Sequence, residues 1–207
     1  MAVLSWNCRG LNANRSDIDL LISRYGPGAI CLQETLLRRP CHPIRGFCHY
    51  YLLASADDMD RPQRGVSLLV RTDIPQHEVH LTTSLEAIAV RVTLHKTITL
   101  CSLYLSPSNP VNIQELDALA NQLPSPFIIL GDFNAHNPMW GGDRIDTRGK
   151  MVENFISNHH LCLFNDGQPT YIHPGYGTST AIDLIFYGST MRTLVGATTT
   201  QWPSNLI

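Results

Sequence analysis

The sequence predicts a four-layer α/β sandwich, in which two mostly antiparallel or mixed β-sheets pack face to face with helices on the outside. Short apolar runs of strand length recur along the 207 residues and alternate irregularly with a few helical segments, without the strict strand–helix–strand rhythm of a parallel sheet. With 43% hydrophobic and 15% charged residues, the composition is that of a globular protein. A chain of this length can bury one full core, so we expect a single domain over residues 1–207.

The N-terminal part begins with two apolar strands that a helix separates. Residues 2–6 and 29–32 are short apolar runs typical of buried strands. Residues 14–25 carry apolar side chains at helical spacing, with Asn14 or Ser16 as the N-cap, and the Gly-Pro-Gly sequence at 26–28 ends this helix. Polar residues directly follow both strands.

The remainder of the chain is richer in strands than in helices. Alternation in residues 87–94 and 97–105 predicts a hairpin that turns at His95-Lys96. The other predicted strands span residues 50–54, 65–70, 127–130, 161–164 and 181–186, and two further helices span 113–122 and 150–158.

Polar side chains stand where apolar strands end or are interrupted, namely at Asn7, Glu34, Asp132, Asn134 and Asp183. Because alternate residues of an extended segment share a face, we expect Asp132 and Asn134 to project together from the strand that precedes them. Asp183 lies inside an apolar run, where an unpaired carboxylate is costly. Each residue alone could be an ordinary turn residue. Their recurrence instead predicts one pocket at a rim of the sandwich.

These oxygen-bearing side chains favour Mg²⁺ or Mn²⁺ as the cofactor. Hard divalent cations prefer carboxylate and amide oxygens, and the six cysteines show neither a Cys-X-X-Cys pair nor the spacing of a zinc site. Such a cation beside an oriented water is suited to attack on phosphate esters. No signal peptide or apolar stretch of membrane length is present, so we expect an intracellular protein without membrane contact.

Three motifs follow one another along the chain: Ser5-Trp-Asn-Cys-Arg-Gly-Leu11, Cys31-Leu-Gln-Glu-Thr35 and Gly131-Asp-Phe-Asn134. They resemble the motifs of the endonuclease/exonuclease/phosphatase superfamily, which includes the abasic-site repair endonucleases. Residues 131–142, Asp146-Thr-Arg-Gly149 and Gln168-Pro-Thr-Tyr171 are more similar still to the endonuclease domain of non-LTR retrotransposon polyproteins of the jockey and I kind. This resemblance implies a DNase I-like fold and a metal-dependent nuclease that nicks one DNA strand for target-primed retrotransposition.

The resemblance also implies a role for each residue that matches a motif. Glu34 would be the principal metal ligand, with Asn7 beside it. Tyr104 would hydrogen-bond the scissile phosphate, and Asp132 would orient or deprotonate the attacking water. Asn134 would help to hold the phosphate. Such a set meets the needs of phosphodiester cleavage, which are charge neutralisation and an aligned nucleophile.

Further residues border this expected site. The resemblance implies that Asp183 positions the catalytic pair opposite it and that Thr170 contacts the DNA backbone. Arg9 stands where the repair enzymes have an acid, a change that the retrotransposon relatives generally tolerate, and we count it with the substrate-binding residues. His136 either contacts phosphate or is a solvated loop histidine. Trp140 either stacks on a base or packs beneath its loop.

The C-terminus departs from the superfamily pattern. The resemblance implies a closing Ser-Asp-His motif after one further strand, but the sequence ends Thr200-Gln-Trp-Pro-Ser-Asn-Leu-Ile207 and contains no Asp-His dipeptide. We therefore expect the C-terminal strand and loop to be missing or degenerate. Loss of a positioned acid–base group lowers a rate by about 10²–10⁴-fold. The alternatives are thus an impaired remnant that binds DNA or protein, and a phosphatase of the same superfamily.

DNA is the expected partner, although the net charge of −2 provides no general attraction for it. Contact would rely on local arginine clusters, such as Arg38, Arg39 and Arg45, unless these are simply solvated loops. The resemblance implies a nuclear site of action and a reverse transcriptase domain in a full-length relative, for which we find no segment in these 207 residues. We expect a monomer.

Overall fold

The computed structural model describes residues 2–56, 59, 61–93, 96–172, 177, 179–188 and 191. Its helices are α1 (Arg15–Tyr25), α2 (Ile113–Gln122) and α3 (Thr147–Asn158), and a 3₁₀ turn covers Pro138–Trp140. Its strands are β1 (Val3–Asn7), β2 (Ala29–Gln33), β3 (Phe47–Leu52), β4 (Ser55–Ala56), β5 (Pro62–Gln63), β6 (Val66–Arg71), β7 (Gln76–Val79), β8 (Glu86–Thr93), β9 (Thr97–Tyr104), β10 (Phe127–Asp132), β11 (Leu161–Leu163), β12 (Tyr171–Ile172), β13 (Ser179–Thr180) and β14 (Asp183–Gly188).

The longer strands form two sheets. The first has the order β1–β2–β6–β3, and the second has the order β11–β14–β10–β9–β8–β7. In the first sheet β1 and β2 are parallel, and in the second β9 and β10 are parallel. The other neighbours in these two sheets are antiparallel. The predicted combination of mixed, mostly antiparallel sheets is therefore confirmed.

Three apolar clusters show how sheets and helices are layered. Side chains of both sheets, such as Leu68 and Leu100, fill the space between them. The outer face of the second sheet packs against α2 and α3 through residues such as Leu119 and Phe155. The outer face of the first sheet packs against α1, where Ile18 is fully buried. Both faces of each sheet are covered, which confirms the predicted four-layer sandwich.

The helix boundaries follow from their capping residues. The bounds predicted for α2 are correct, and Asn112 begins it with a capping box. Helix α3 begins three residues earlier than predicted, because the Asp146 side chain accepts a hydrogen bond from the N–H of Gly149 at 2.6 Å. Asn14 precedes α1, as predicted, but its side chain donates to the carbonyl of Cys8 at 2.7 Å and does not cap the helix.

The predicted strands are present with shifted ends, and several short ones were missed. Strands β8 and β9 form the predicted hairpin, in which Thr93 pairs with Thr97, while residues 94 and 95 lie outside the described residues. The short strands β4, β5, β7, β12 and β13 contain only two to four residues each, so they lack the apolar run of a core strand. None of the described helices is long and apolar enough to span a membrane. All six cysteines are free thiols.

Candidate active site

The strand ends that were predicted to converge meet at one edge of the sandwich. Strands β1 and β2 are parallel and in register, so Asn7 ends β1 next to the end of β2, which Glu34 follows. Strands β9 and β10 are also parallel and pair Tyr104 with Asp132. Strand β14 runs antiparallel to β10 and begins at Asp183, opposite Asp132. The two parallel pairs thus bring four strand ends together, and the antiparallel neighbour contributes its first residue.

The Asn7 amide connects the carboxylates of the two sheets. Its Nδ2 donates to Glu34 Oε1 at 2.8 Å and to Asp132 Oδ2 at 2.9 Å. The Tyr104 hydroxyl donates to the same Glu34 oxygen at 2.7 Å. Glu34 and Asn7 belong to the first sheet, and Tyr104 and Asp132 to the second. Two of these hydrogen bonds, from Asn7 to Asp132 and from Tyr104 to Glu34, therefore join the sheets at the centre of the site.

Asn134 reaches Asp132 by a different geometry from the one expected. Strand β10 ends at Asp132, and Asn134 has a left-handed backbone with φ of 46°, so the two do not project together from an extended segment. That expectation was wrong. Asn tolerates the left-handed region, and the turn directs the Asn134 N–H to Asp132 Oδ1 at 2.9 Å. The Asn134 side-chain amide donates to the carbonyl of Leu105 at 3.2 Å.

Three of the predicted site residues have left-handed backbones, although none of them is glycine. Arg9 has φ of 44°, Glu34 of 49° and Asn134 of 46°. Each such residue costs about 1–2 kcal/mol, and residues of this kind concentrate at functional sites. Backbone hydrogen bonds hold the segment that carries Arg9, because the N–H of Gly10 donates to the carbonyl of Glu34 at 2.8 Å. The strain at this edge supports a functional role for it.

Burial and neighbouring charge raise the pKa values of the acidic groups at the centre. Asp132 is only 4% exposed, and this burial raises its pKa to about 6, although the hydrogen bond from Asn7 opposes the shift. Burial and the charge of Asp132 also raise the pKa of Asp183, whereas the Thr170 hydroxyl lowers it. Burial and the hydrogen bond to Glu34 raise the pKa of Tyr104, which keeps the phenol protonated. A buried carboxylate with a raised pKa is a group that can accept a proton near neutral pH.

Thr170 lies beside Asp183 on the far side of the site from Glu34. Its hydroxyl oxygen accepts hydrogen bonds from the N–H of Ile182 at 3.1 Å and of Asp183 at 3.0 Å. Thr170 therefore fixes the start of β14, and with it the position of Asp183. The residue itself is exposed, so its remaining surface faces solvent.

The other three residues considered from the sequence occupy different surroundings. Arg9 is exposed, and its guanidinium carbon lies 4.9 Å from the centre of the Tyr171 ring. His136 is half-buried, with its Nδ1 3.1 Å from the Thr180 hydroxyl oxygen. Trp140 is fully buried, and its indole N–H donates to a main-chain carbonyl at 3.0 Å. Of the two alternatives for Trp140, packing beneath the loop is therefore correct.

The oxygens at the centre fit a hard divalent cation. Glu34 is half-buried, and no described residue donates a hydrogen bond to its Oε2. Among the described residues, the Oδ1 of Asn7 accepts only a long hydrogen bond, of 3.3 Å, from the N–H of Arg9. Among the described residues there is no group of three or more His, Cys, Asp or Glu side chains that could hold a metal. Mg²⁺ does not need one, because it keeps several waters and binds through one or two carboxylates.

Two residues at this edge were not found from the residue pattern. Tyr104 was reached only through the family resemblance, and its local signal is a tyrosine at the end of an apolar strand. Arg148 was noted only as part of a motif, yet its guanidinium donates to three main-chain carbonyls of the loop that follows Tyr104. An arginine in the first turn of a helix is usually a surface residue, so the sequence contained no signal for this contact.

Residues 98–205 match the model of the endonuclease–reverse transcriptase family. Two similar curated proteins are the RNA-directed DNA polymerases from mobile element jockey of Drosophila funebris, 25% identical over 170 residues, and of Drosophila melanogaster, 27% identical over 171. Each alignment covers 80% of this chain and 18% of the relative, so the chain spans about a fifth of their length.

Solved structures share the fold at lower identity. The endonuclease domain of TRAS1, described as a telomere-specific non-LTR retrotransposon, has a TM-score of 0.73 at 21% identity and covers 94% of this chain and 88% of its own. An AP endonuclease from Leishmania major has a TM-score of 0.68 at 12% identity and covers 90% of this chain and 78% of its own. These likenesses confirm the DNase I-like architecture. Since the family model covers more than half of the sequence, the chain belongs to the endonuclease–reverse transcriptase family.

Proposed function

We propose that this domain hydrolyses a phosphodiester bond of DNA and nicks one strand for target-primed retrotransposition, with Mg²⁺ or Mn²⁺ as cofactor. The observation that carries the proposal is the hydrogen-bonded group of Asn7, Glu34, Tyr104 and Asp132, which joins the two sheets at one solvent-facing edge. Family membership supplies the nuclease class. The strand cut, the metal and the nicking role are our inference.

Glu34 and Asn7 are the residues that would hold the cation, through Glu34 Oε2 and Asn7 Oδ1. A bound divalent cation would neutralise charge on the phosphate and increase the acidity of a nearby water. Asp132 would accept the proton of the attacking water, because its raised pKa suits it to that task near neutral pH. The two hydrogen bonds that Asp132 receives, one on each oxygen, fix the plane of its carboxylate.

The surrounding residues would bind and orient the DNA. We assign phosphate contacts to Tyr104 and Asn134, whose polar groups border Asp132, and a backbone contact to the exposed Thr170. Asp183 would hold the Asp132 side of the site in place from the neighbouring strand. Arg9, which is exposed beside these carboxylates, is suited to a phosphate on the flanking strand.

The cellular setting follows from the same proposal. DNA is the substrate, and the site of action would be the nucleus. Because the curated relatives are named as polymerases and are about five times longer than the aligned region, we propose that the domain works beside a reverse transcriptase segment. The domain itself would act as a monomer.

A plasmid-nicking assay tests the catalytic proposal. Supercoiled DNA should be converted to the open circle in Mg²⁺ and remain intact in EDTA. Glu34→Gln and Asp132→Asn should each lower the nicking rate by about 10²–10⁴-fold, as expected for loss of a metal ligand or a general base. Asp73→Asn is the matched control, since Asp73 is an exposed carboxylate that pairs with Arg71 away from the site. Nicking that is insensitive to Glu34→Gln and Asp132→Asn would refute the assigned mechanism.

A second candidate is a DNA-binding domain with impaired catalysis. The sequence leaves this alternative to the nuclease open. The same assay separates the two candidates when DNA binding is measured alongside it. Salt-sensitive DNA binding without Mg²⁺-dependent nicking would support the binding domain.

A further inference from the structure

The loop of residues 105–109 directly follows Tyr104 and contacts two more residues of the candidate active site. The N–H of Leu105 donates to the carbonyl of Asp132 at 2.9 Å. The carbonyl of Leu105 accepts the hydrogen bond from the Asn134 side chain at 3.2 Å. A shift of Leu105 would therefore move Tyr104, which precedes it in the chain. It would also move the side-chain amide of Asn134, which is hydrogen-bonded to the Leu105 carbonyl.

Arg148 clamps this loop from α3. Its Nη1 donates to the carbonyl of Leu105 at 2.9 Å, and its Nη2 donates to those of Ser106 at 3.0 Å and Asn109 at 2.8 Å. Leu105 thus offers one carbonyl oxygen to both Arg148 and Asn134. The planar guanidinium has its donors in a fixed fork, which lets one side chain reach all three acceptors. An ammonium group on a lysine stem is a point charge and cannot reproduce that fork.

Arg148 is itself held rigidly by the start of α3. The N-cap carboxylate of Asp146 accepts hydrogen bonds from the N–H of Gly149 at 2.6 Å and of His136 at 3.3 Å. A Cβ at Gly149 would lie 1.9 Å from the carbonyl oxygen of His136, so the helix can approach this closely only with glycine there. In the Asp146-Thr-Arg-Gly149 motif, Asp146 therefore caps α3, Arg148 holds the loop, and Gly149 allows the close contact with His136.

The opposite side of the loop is tied to the first sheet. The Arg64 guanidinium donates to the side-chain oxygen of Asn109. Inside the loop, the N–H of Asn109 donates to the carbonyl of Ser106 at 3.1 Å, and the hydroxyls of Ser106 and Ser108 lie 2.9 Å apart. The loop is thus held by Arg64 at the Asn109 side chain and by Arg148 at the carbonyls of Leu105, Ser106 and Asn109.

We propose that Arg148 is a positioning residue for phosphodiester cleavage, which acts by fixing the Leu105 carbonyl so that Tyr104 and Asn134 meet the scissile phosphate in register. The proposal rests on the proposed function of the same site. A misplacement of about 1 Å in a catalytic group lowers the rate by about 10²-fold. Loss of the clamp should therefore affect turnover more than substrate binding.

The test compares Arg148→Lys and Arg148→Gln with two controls in single-turnover and steady-state nicking. Both variants should lower kcat by about 10–100-fold and change KM by less than about threefold. Arg144→Gln is the charge control, because Arg144 is an exposed residue of the preceding loop whose ion pair is with the neighbouring Asp143. His159→Ala is the stability control, because it removes the 2.9 Å contact between α3 and Asp117 far from the loop.

A kcat within about threefold of the unmodified protein in Arg148→Gln would overturn the proposal. So would an equal loss of kcat in His159→Ala at temperatures where both variants are folded. The side-chain amide resonance of Asn134 in NMR spectra gives a second readout that needs no activity. It should move in Arg148→Lys and stay in place in Arg144→Gln.

The two proposals fail in distinguishable ways. If the unmodified protein does not nick DNA in Mg²⁺, the proposed function fails, and the Asn134 resonance alone decides whether Arg148 positions the site. An unmoved Asn134 resonance in Arg148→Lys would overturn the positioning role in that case as well.

Discussion

Replacement of Asn7 by alanine should destabilise the metal-free protein by about 2–3 kcal/mol near neutral pH. The substitution removes two hydrogen bonds to carboxylates, each worth about 1.5–3 kcal/mol. Glu34 Oε1 keeps its donor from Tyr104 and is half-buried, so water can replace most of what it loses. Asp132 is 4% exposed and cannot recruit water as easily, so the larger share of the cost falls there. At about 2–4 °C per kcal/mol, the Tm should fall by about 4–12 °C.

The loss of stability in Asn7→Ala should depend on pH, because Asp132 titrates between the ordinary and the raised pKa. Ionisation of Asp132 costs the folded protein stability as the pH rises from the ordinary carboxyl pKa of about 4 to the raised pKa of about 6, and Asn7 limits that cost. Without Asn7 the folded pKa rises further and the cost grows. The Tm difference should therefore be large at about pH 7.5 and shrink toward about pH 5, where Asp132 holds its proton.

Thermal unfolding followed by circular dichroism in EDTA measures both values. Asn12→Ala, an exposed asparagine in the following loop, is the matched control. A loss of less than about 1 °C at about pH 7.5 would refute the reasoning, as would a loss that is the same at both pH values.

Three further predictions address other parts of the molecule. Burial lowers the pKa of His49 to about 4, so the unfolded chain binds the proton more readily than the folded protein. The free energy of unfolding should therefore fall by about 1–3 kcal/mol as the pH drops from about 6.5 to about 4. Urea midpoints measured across this range should show the fall, and His49→Gln should make them less dependent on pH. Gly131→Ala would place a Cβ 1.7 Å from the Leu103 carbonyl oxygen, so at least about 3 kcal/mol should be lost and cooperative thermal unfolding should disappear. Trp140→Phe should cost about 1–2 kcal/mol in urea titrations but leave DNA affinity unchanged, because the indole is fully buried.

The layers of the fold and the place of the site could be predicted because both depend on periodic or local signals. Alternation in β10 sends Ile129 toward the helices and Leu130 between the sheets, which a period of two predicts. A carboxylate at the end of such a strand must face solvent or a partner. Asp132 and Glu34 could therefore be assigned to one edge from the sequence, and the structure connects them there through Asn7.

Contacts that depend on loop conformation could not be predicted. Asn134 meets Asp132 through its backbone N–H, and that geometry depends on a left-handed turn that asparagine permits but does not require. The three acceptors of Arg148 are main-chain carbonyls, which every sequence contains, so no residue type at 105–109 marks them. The short strands β12 and β13 are likewise set by their position beside the site rather than by an apolar pattern.

The kind of hydrogen-bond donor around the carboxylates lets the site stay folded and keep the negative charge that the proposed cation would need. Asn7, Tyr104 and Thr170 are neutral donors or dipoles, and no salt bridge within the described part of the chain involves Glu34, Asp132 or Asp183. A lysine or arginine paired with these acids would stabilise them more strongly but would cancel the negative charge. Neutral donors orient the oxygens and relieve part of the desolvation cost while the charge remains. Burial raises the pKa values of Asp132 and Asp183 although these donors oppose the shift, and this links folding of the metal-free protein to pH at the same residues that would act on the phosphodiester.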